Sequence, residues 1–131
     1  MFKNFKKYYE LLTEPEQVYL ALTNPTTIYL WSGAEAEMST EPGSEFSLWN
    51  GDIVGKNLEF EVNKKIVQQW YFDGVTDESI VTIKLHPGKR AGSTSVELNH
   101  VNIPADEYDS FVDGWNDAYF GALEEFFEEE N

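Results

Sequence analysis

General acid–base chemistry needs two positioned groups with tuned pKa values, and this chain offers few. Cysteine is absent, which excludes disulfides, thiolate nucleophiles and Cys-ligated metals. Of the two histidines, His100 alternates with Val96 and Leu98 and so shares their strand face. Turned inward, it either orients a polar ligand or acts as a base, or it is a core histidine satisfied by one partner. His86 stands beside Pro87-Gly88 and is expected in a solvent-exposed loop. Neither histidine belongs to a His-x-x-Glu-His pattern, so no metal site is expected. The pairs Glu59/Glu61 and Asp106/Glu107 read as a solvated strand face and a helix start. No Gly-x-Ser-x-Gly elbow, phosphate loop or dinucleotide fingerprint occurs, and we expect no catalytic residues and no cofactor.

What the chain does carry is aromatic surface. Four Trp, seven Tyr and nine Phe exceed what one short helix–sheet interface needs, so they either fill that interface or line a pocket within it. The candidate lining is Trp31, Phe46, Leu48, Trp70, Phe72, Ile83, Leu98, His100, Trp115 and Tyr119. Trp49 has the opposite strand parity to Phe46 and Leu48 and is expected to face outward.

These residues are held by a readable order of elements. Residues Lys6 to Leu12 predict a first strand. Thr13-Glu14-Pro15-Glu16 then reads as a capping box, followed by a helix that Asn24-Pro25 stops and restarts as far as Gly33. From Ala34 the period falls to two. Asn50-Gly51 is the strongest hairpin signal, and the returning strand places Leu58, Phe60 and Val62 on one face. Further turns at Asn63-Lys64-Lys65 and around Asp73-Gly74 and Asp77 lead into strands at Ile66–Phe72 and Ile80–Leu85. The 86–92 loop, with the only Arg, is expected to be mobile, and a last strand follows over Ser93–Ile103. Pro104-Ala105-Asp106-Glu107 opens a final helix with a stripe of Tyr108, Phe111, Val112, Trp115, Tyr119, Ala122, Leu123 and Phe126. Gly114 and Gly121 inside it suggest close approach of a neighbouring backbone, and the run Glu128-Glu129-Glu130 is expected to fray.

The chain as a whole predicts a single domain over residues 1–131. The formal charge of −15 repels phosphate backbones and anionic lipid, which argues against nucleic-acid and membrane-surface partners. No apolar run reaches a membrane span and the N-terminus lacks a signal-peptide stretch, so a cytoplasmic protein is expected.

Several segments, in this order, resemble the family of activator of heat-shock-protein-90 ATPase homologues, within the START and birch-pollen-allergen-like (SRPBCC) superfamily of helix-grip proteins. They are Pro15–Pro25, Trp31 with Gly33, Phe46–Gly55, Ile66–Trp70, Thr94–His100 and Gly114-Trp115. The resemblance implies an α+β helix-grip fold, with a curved antiparallel sheet of six to seven strands around a long C-terminal α-helix. Because the first strand begins near Met1, the separate N-terminal domain of full activators is expected to be missing; of the family's Arg-rich turns only Arg90 remains. The expected function is non-enzymatic binding of a small apolar or amphipathic molecule in the sheet–helix cavity. The alternatives are a co-chaperone-like module that uses the acidic surface on a chaperone protein, and a cyclase or hydrolase using His100 with a hydroxyl such as that of Tyr119.

Overall fold

The computed structural model describes residues 1–75 and 77–130, apart from the side chains of Glu129 and Glu130. Among these residues, six antiparallel strands form one curved sheet in the order β1-β6-β5-β4-β3-β2. The strands are β1 (Phe2–Leu11), β2 (Glu45–Leu48), β3 (Ile53–Glu61), β4 (Lys65–Trp70), β5 (Ser79–Pro87) and β6 (Thr94–Pro104). Helices α1 (Pro15–Thr23) and α2 (Pro25–Ser32) carry the chain from one sheet edge to the other, and a meander then returns it until β6 pairs with β1. A C-terminal helix built of α3 (Tyr108–Asp113), a π-helical segment (Gly114–Tyr119) and α4 (Phe120–Glu130) closes the concave face. This is the α+β helix-grip arrangement, with six strands. Its core joins Ile66, Val81, Ile83, Val96 and Leu98 of the sheet to Trp115, Phe120 and Leu123 of the helix.

Several local expectations are corrected. The capping box does not form: α1 begins at Pro15 after an extended Glu14 that makes no side-chain cap bond. The Thr13 carbonyl instead accepts the Thr94 hydroxyl (2.7 Å), tying the helix entry to β6. Asn24 does cap α2, its Oδ1 accepting the Thr27 amide at 3.0 Å. In β3 a bulge between Asn57 and Glu59 makes Leu58 the extra residue. The alternation therefore shifts, Asn57 turns inward with no exposure, and Val62 lies past the strand end, 71% exposed. Pro104 ends β6 rather than opening the helix, which starts at Tyr108 after a turn over 105–107. His86 sits within β5, not in a loop, and its Nε2 lies 3.0 Å from Glu97 Oε1. The loop after it is pinned, because Glu10 accepts from the Lys89 amide (3.1 Å) and the Ser93 hydroxyl (2.6 Å).

The helix stripe is re-phased by the π segment, which inserts one residue into the turn. Phe120 and Phe127 are thereby buried, while Phe126 stays half-buried. Gly121 explains itself here: a Cβ would lie 2.6 Å from the Asn116 carbonyl oxygen, five residues back in its own helix. No neighbouring backbone approaches Gly114 either, for nothing lies within 4 Å of the Cβ it lacks. The helix continues to Glu130; the side chains of Glu129 and Glu130, on which the expected fraying bears, lie outside the described residues.

Candidate functional site

The sheet and the C-terminal helix meet through two tryptophans. Trp115, 2% exposed, stacks on Trp70 with ring centroids 4.8 Å apart and planes inclined by 28°. Each indole N–H is spent inside the protein. Trp115 Nε1 donates to His100 Nδ1 at 3.0 Å, and Trp70 Nε1 donates to Gln68 Oε1 at 3.0 Å. Gln68 Nε2 passes the chain to Asn57 Oδ1 (3.0 Å), whose amide donates to Ser39 O and Ser44 Oγ, both at 3.1 Å. The β3 bulge is what turns Asn57 inward to complete that chain.

The other chain fixes the state of His100. An indole N–H only donates, so His100 Nδ1 accepts and the neutral ring carries its proton on Nε2. That proton points at Ser79 Oγ, 2.8 Å away, and the Ser79 hydroxyl donates onward to the Val101 carbonyl at 3.2 Å. The Ser–His pair therefore runs in the sense opposite to a nucleophile activated by a base, since the imidazole has no lone pair left to accept the serine proton. Burial also pushes the His100 pKa down to about 3. His100 thus takes the role of a satisfied core histidine. Tyr119 is not its hydrogen-bonding partner, and burial pushes the Tyr119 phenol pKa up.

Outside the stacked pair lies an open apolar groove of about 250 Å³. Trp70, Trp115 and Tyr119 form its floor; Phe111, Gly114 and Ala118 of the helix form one wall, and Trp49 and Ile53 of the β2–β3 turn the other, with Asp52 and Ser110 at the rim. Two unusual backbone features converge on it. One is the π segment, which supplies Gly114, Trp115, Ala118 and Tyr119. The other is a run of left-handed residues, Trp49, Asn50 and Gly51, with φ of 50°, 57° and 95°. A tryptophan in that region costs of order 1–3 kcal/mol and persists only where its surroundings hold it. Here Asn50 is clamped to Glu35, its amide donating to Glu35 O (3.0 Å) and its Oδ1 accepting the Glu35 amide (3.1 Å). The twist folds Trp49 back against Tyr119 (5.9 Å) and Trp31 (6.1 Å), which corrects the expectation that it faces outward.

Of the ten candidate lining residues, Trp70, Trp115 and Tyr119 reach the groove. Trp31 lies behind Tyr119, its ring centroid 5.1 Å away and its Nε1 donating to Ala21 O at 2.8 Å. Phe46, Leu48, Ile83, Leu98 and His100 are buried in the core, and Phe72 packs on Phe111 at 4.9 Å between core and surface. Strand parity did not find Trp49, Asp52 and Ile53. The Asn50-Gly51 signal marked their turn, but not its left-handed twist. Among the described residues no three His, Asp or Glu side chains converge as a metal site, and no helix is long and apolar enough to cross a membrane.

Over residues 12–128 the chain matches the family described as activator of Hsp90 ATPase homolog 1-like protein. The chain belongs to this family. Within it, the human activator of 90 kDa heat shock protein ATPase homolog 1 is 27% identical over 116 residues, covering 88% of this chain and 34% of that protein. The Dictyostelium discoideum homologue is 30% identical over 117 residues, 86% of this chain and 30% of its own length. This chain thus spans about a third of the curated relatives it matches. Among solved structures, an HSP90 activator from Plasmodium falciparum superposes with a TM-score of 0.85 at 28% identity, covering 94% of each chain.

Proposed function

We propose that this member of the Hsp90-activator-homologue family is a protein-interaction module that engages a chaperone ATPase of the Hsp90 type and stimulates it. The observation that carries this reading is where the apolar concavity lies. The sheet–helix gap is occupied by side chains, with His100 ringed by Trp70 (5.4 Å), Trp115 (5.8 Å), Phe111 (6.1 Å) and Phe72 (6.3 Å). Beyond these rings lies the apolar groove, open to the outside. A groove of about 250 Å³ falls below the ~300–1,000 Å³ of most small-molecule sites and suits a side chain presented by another protein. The formal charge of −15 adds long-range attraction for a basic partner surface. The names of the relatives supply the kind of partner.

The test is the ATP turnover of a purified Hsp90-type ATPase with and without this protein, together with sedimentation of the mixture. Stimulated turnover is expected, and Trp49→Ala is expected to reduce it severalfold by removing one wall of the groove. Unchanged turnover with no complex at tens of micromolar overturns the reading. A second reading, retention of a small apolar or amphipathic molecule, is supported by the aromatic floor of the same groove. Native mass spectrometry of freshly purified protein distinguishes it: a stoichiometric adduct that Gly114→Leu abolishes would make it the better account.

A further inference from the structure

The groove joins an electron-rich floor to an unpaired negative rim. Both floor indoles direct their N–H groups away from it, to Gln68 and His100, so they present ring faces and edges but no donors. The hydrogen-bond chain behind the floor leaves His100 neutral, so no positive charge lies beneath the rings. Asp52 stands at the mouth, exposed, and makes no ion pair among the described residues. None of the nine Lys and Arg side chains lines the groove; three of them, Lys3, Lys6 and Lys7, lie on β1 at the far sheet edge. An anion entering here would meet no Lys or Arg side chain, and the Asp52 carboxylate at the mouth would repel it. A purely apolar group would leave the Asp52 carboxylate without a role.

We propose that the groove captures an arginine side chain presented by the protein partner. Its methylenes would lie against Ile53 and Phe111 while the guanidinium stacks over Trp49 and Tyr119 within reach of Asp52. Guanidinium is the cation suited to such a site, being weakly hydrated, planar and able to pair with a carboxylate while stacked on a ring. The left-handed Trp49 fits this role, since the twist is what brings the indole face from the outer side of the turn to the wall of the groove. The inference rests on the protein-interaction reading and names the chemistry of the group received.

The probes are the capped pentapeptide Gly-Leu-Arg-Leu-Gly and two analogues, with the Arg replaced by citrulline, its neutral isostere, or by norleucine. Each is titrated into the full chain while the indole N–H signals of Trp49, Trp70 and Trp115 are followed by nuclear magnetic resonance. The Arg peptide is expected to move the Trp49 and Trp115 signals, and to bind about tenfold more tightly than citrulline. Asp52→Asn should weaken the Arg peptide about three- to tenfold and leave the norleucine peptide unchanged; Asp52 is exposed, so the substitution does not threaten the fold. Equal binding of all three peptides, or an Arg-peptide response that leaves the Trp49 and Trp115 signals in place, would overturn the proposal, as would no binding at millimolar peptide. If chaperone turnover is stimulated while the Arg peptide fails to bind, this inference alone falls. If the peptide binds and turnover is unmoved, the site stands and the chaperone reading falls.

Discussion

His100 shows how one residue type takes a structural role through its neighbours. Its inward direction was legible from strand parity with Val96 and Leu98. Its partners were not, because Ser79 and Trp115 lie 21 and 15 residues away, and only the β5–β6 register and the docked helix bring them together. With a folded pKa near 3 against an ordinary 6.5, the folded chain binds fewer protons than the unfolded one between those values. The stabilising contribution is therefore complete above pH 6.5 and is lost as pH falls toward 3, with a slope approaching 1.4 kcal/mol per pH unit. Glu10 and Glu97, whose pKa values are held below 4.5 chiefly by the Ser93 hydroxyl and by His86 respectively, act in the same direction as pH falls below 4.5, with a smaller, solvent-screened effect. Urea melts of wild type and His100→Gln between pH 7.5 and 4.5 separate these contributions. The variant, able to accept from Trp115 and donate to Ser79, is expected to show the shallower dependence. Parallel profiles would mean that the ring is protonated in the fold.

At the level of elements, the succession of strands and helices along the chain and the amphipathic character of the C-terminal helix were legible because each rests on a period of two or near 3.6. Three of the misread places are those where one residue interrupts a period. The bulge at Leu58 hid Asn57, the π segment exchanged Phe126 for Phe127, and the left-handed turn reversed Trp49. An inserted residue leaves composition and alternation almost untouched, so its signal is a single glycine or asparagine. The two helix glycines give contrasting predictions. Gly121→Ala places a methyl against the Asn116 carbonyl and should destabilise by about 1–3 kcal/mol despite the better helix propensity. Gly114→Ala meets nothing within 4 Å, has ordinary helical angles, and should stabilise by up to about 1 kcal/mol. Denaturant melts in which the two substitutions had equal effects would refute the π geometry.

For the molecule as a whole, charge is the dominant long-range term. Against a formal −15, the described lysine–carboxylate pairs are few: Lys65 with Glu59 and Glu61, and Lys6 with Glu97. Self-repulsion should then be relieved by salt, as the screening length falls from ~30 Å at 0.01 M to ~10 Å at 0.1 M. Thermal melts are expected to move upward over that range by roughly 3–5 °C per kcal/mol of repulsion removed. A midpoint that stays constant or falls would show that local pairs, not net charge, govern stability. The aromatic set has a different consequence at this scale. Trp49, Trp31, Tyr119, Trp115 and Trp70 form an unbroken sequence of ring contacts, each between 4.6 and 6.1 Å, that includes every tryptophan of the chain. Light absorbed by any indole is shared along it, and Trp49 is its half-buried end at the groove. The native protein therefore carries its own optical gauge: intrinsic emission reports, without a label, what touches that end.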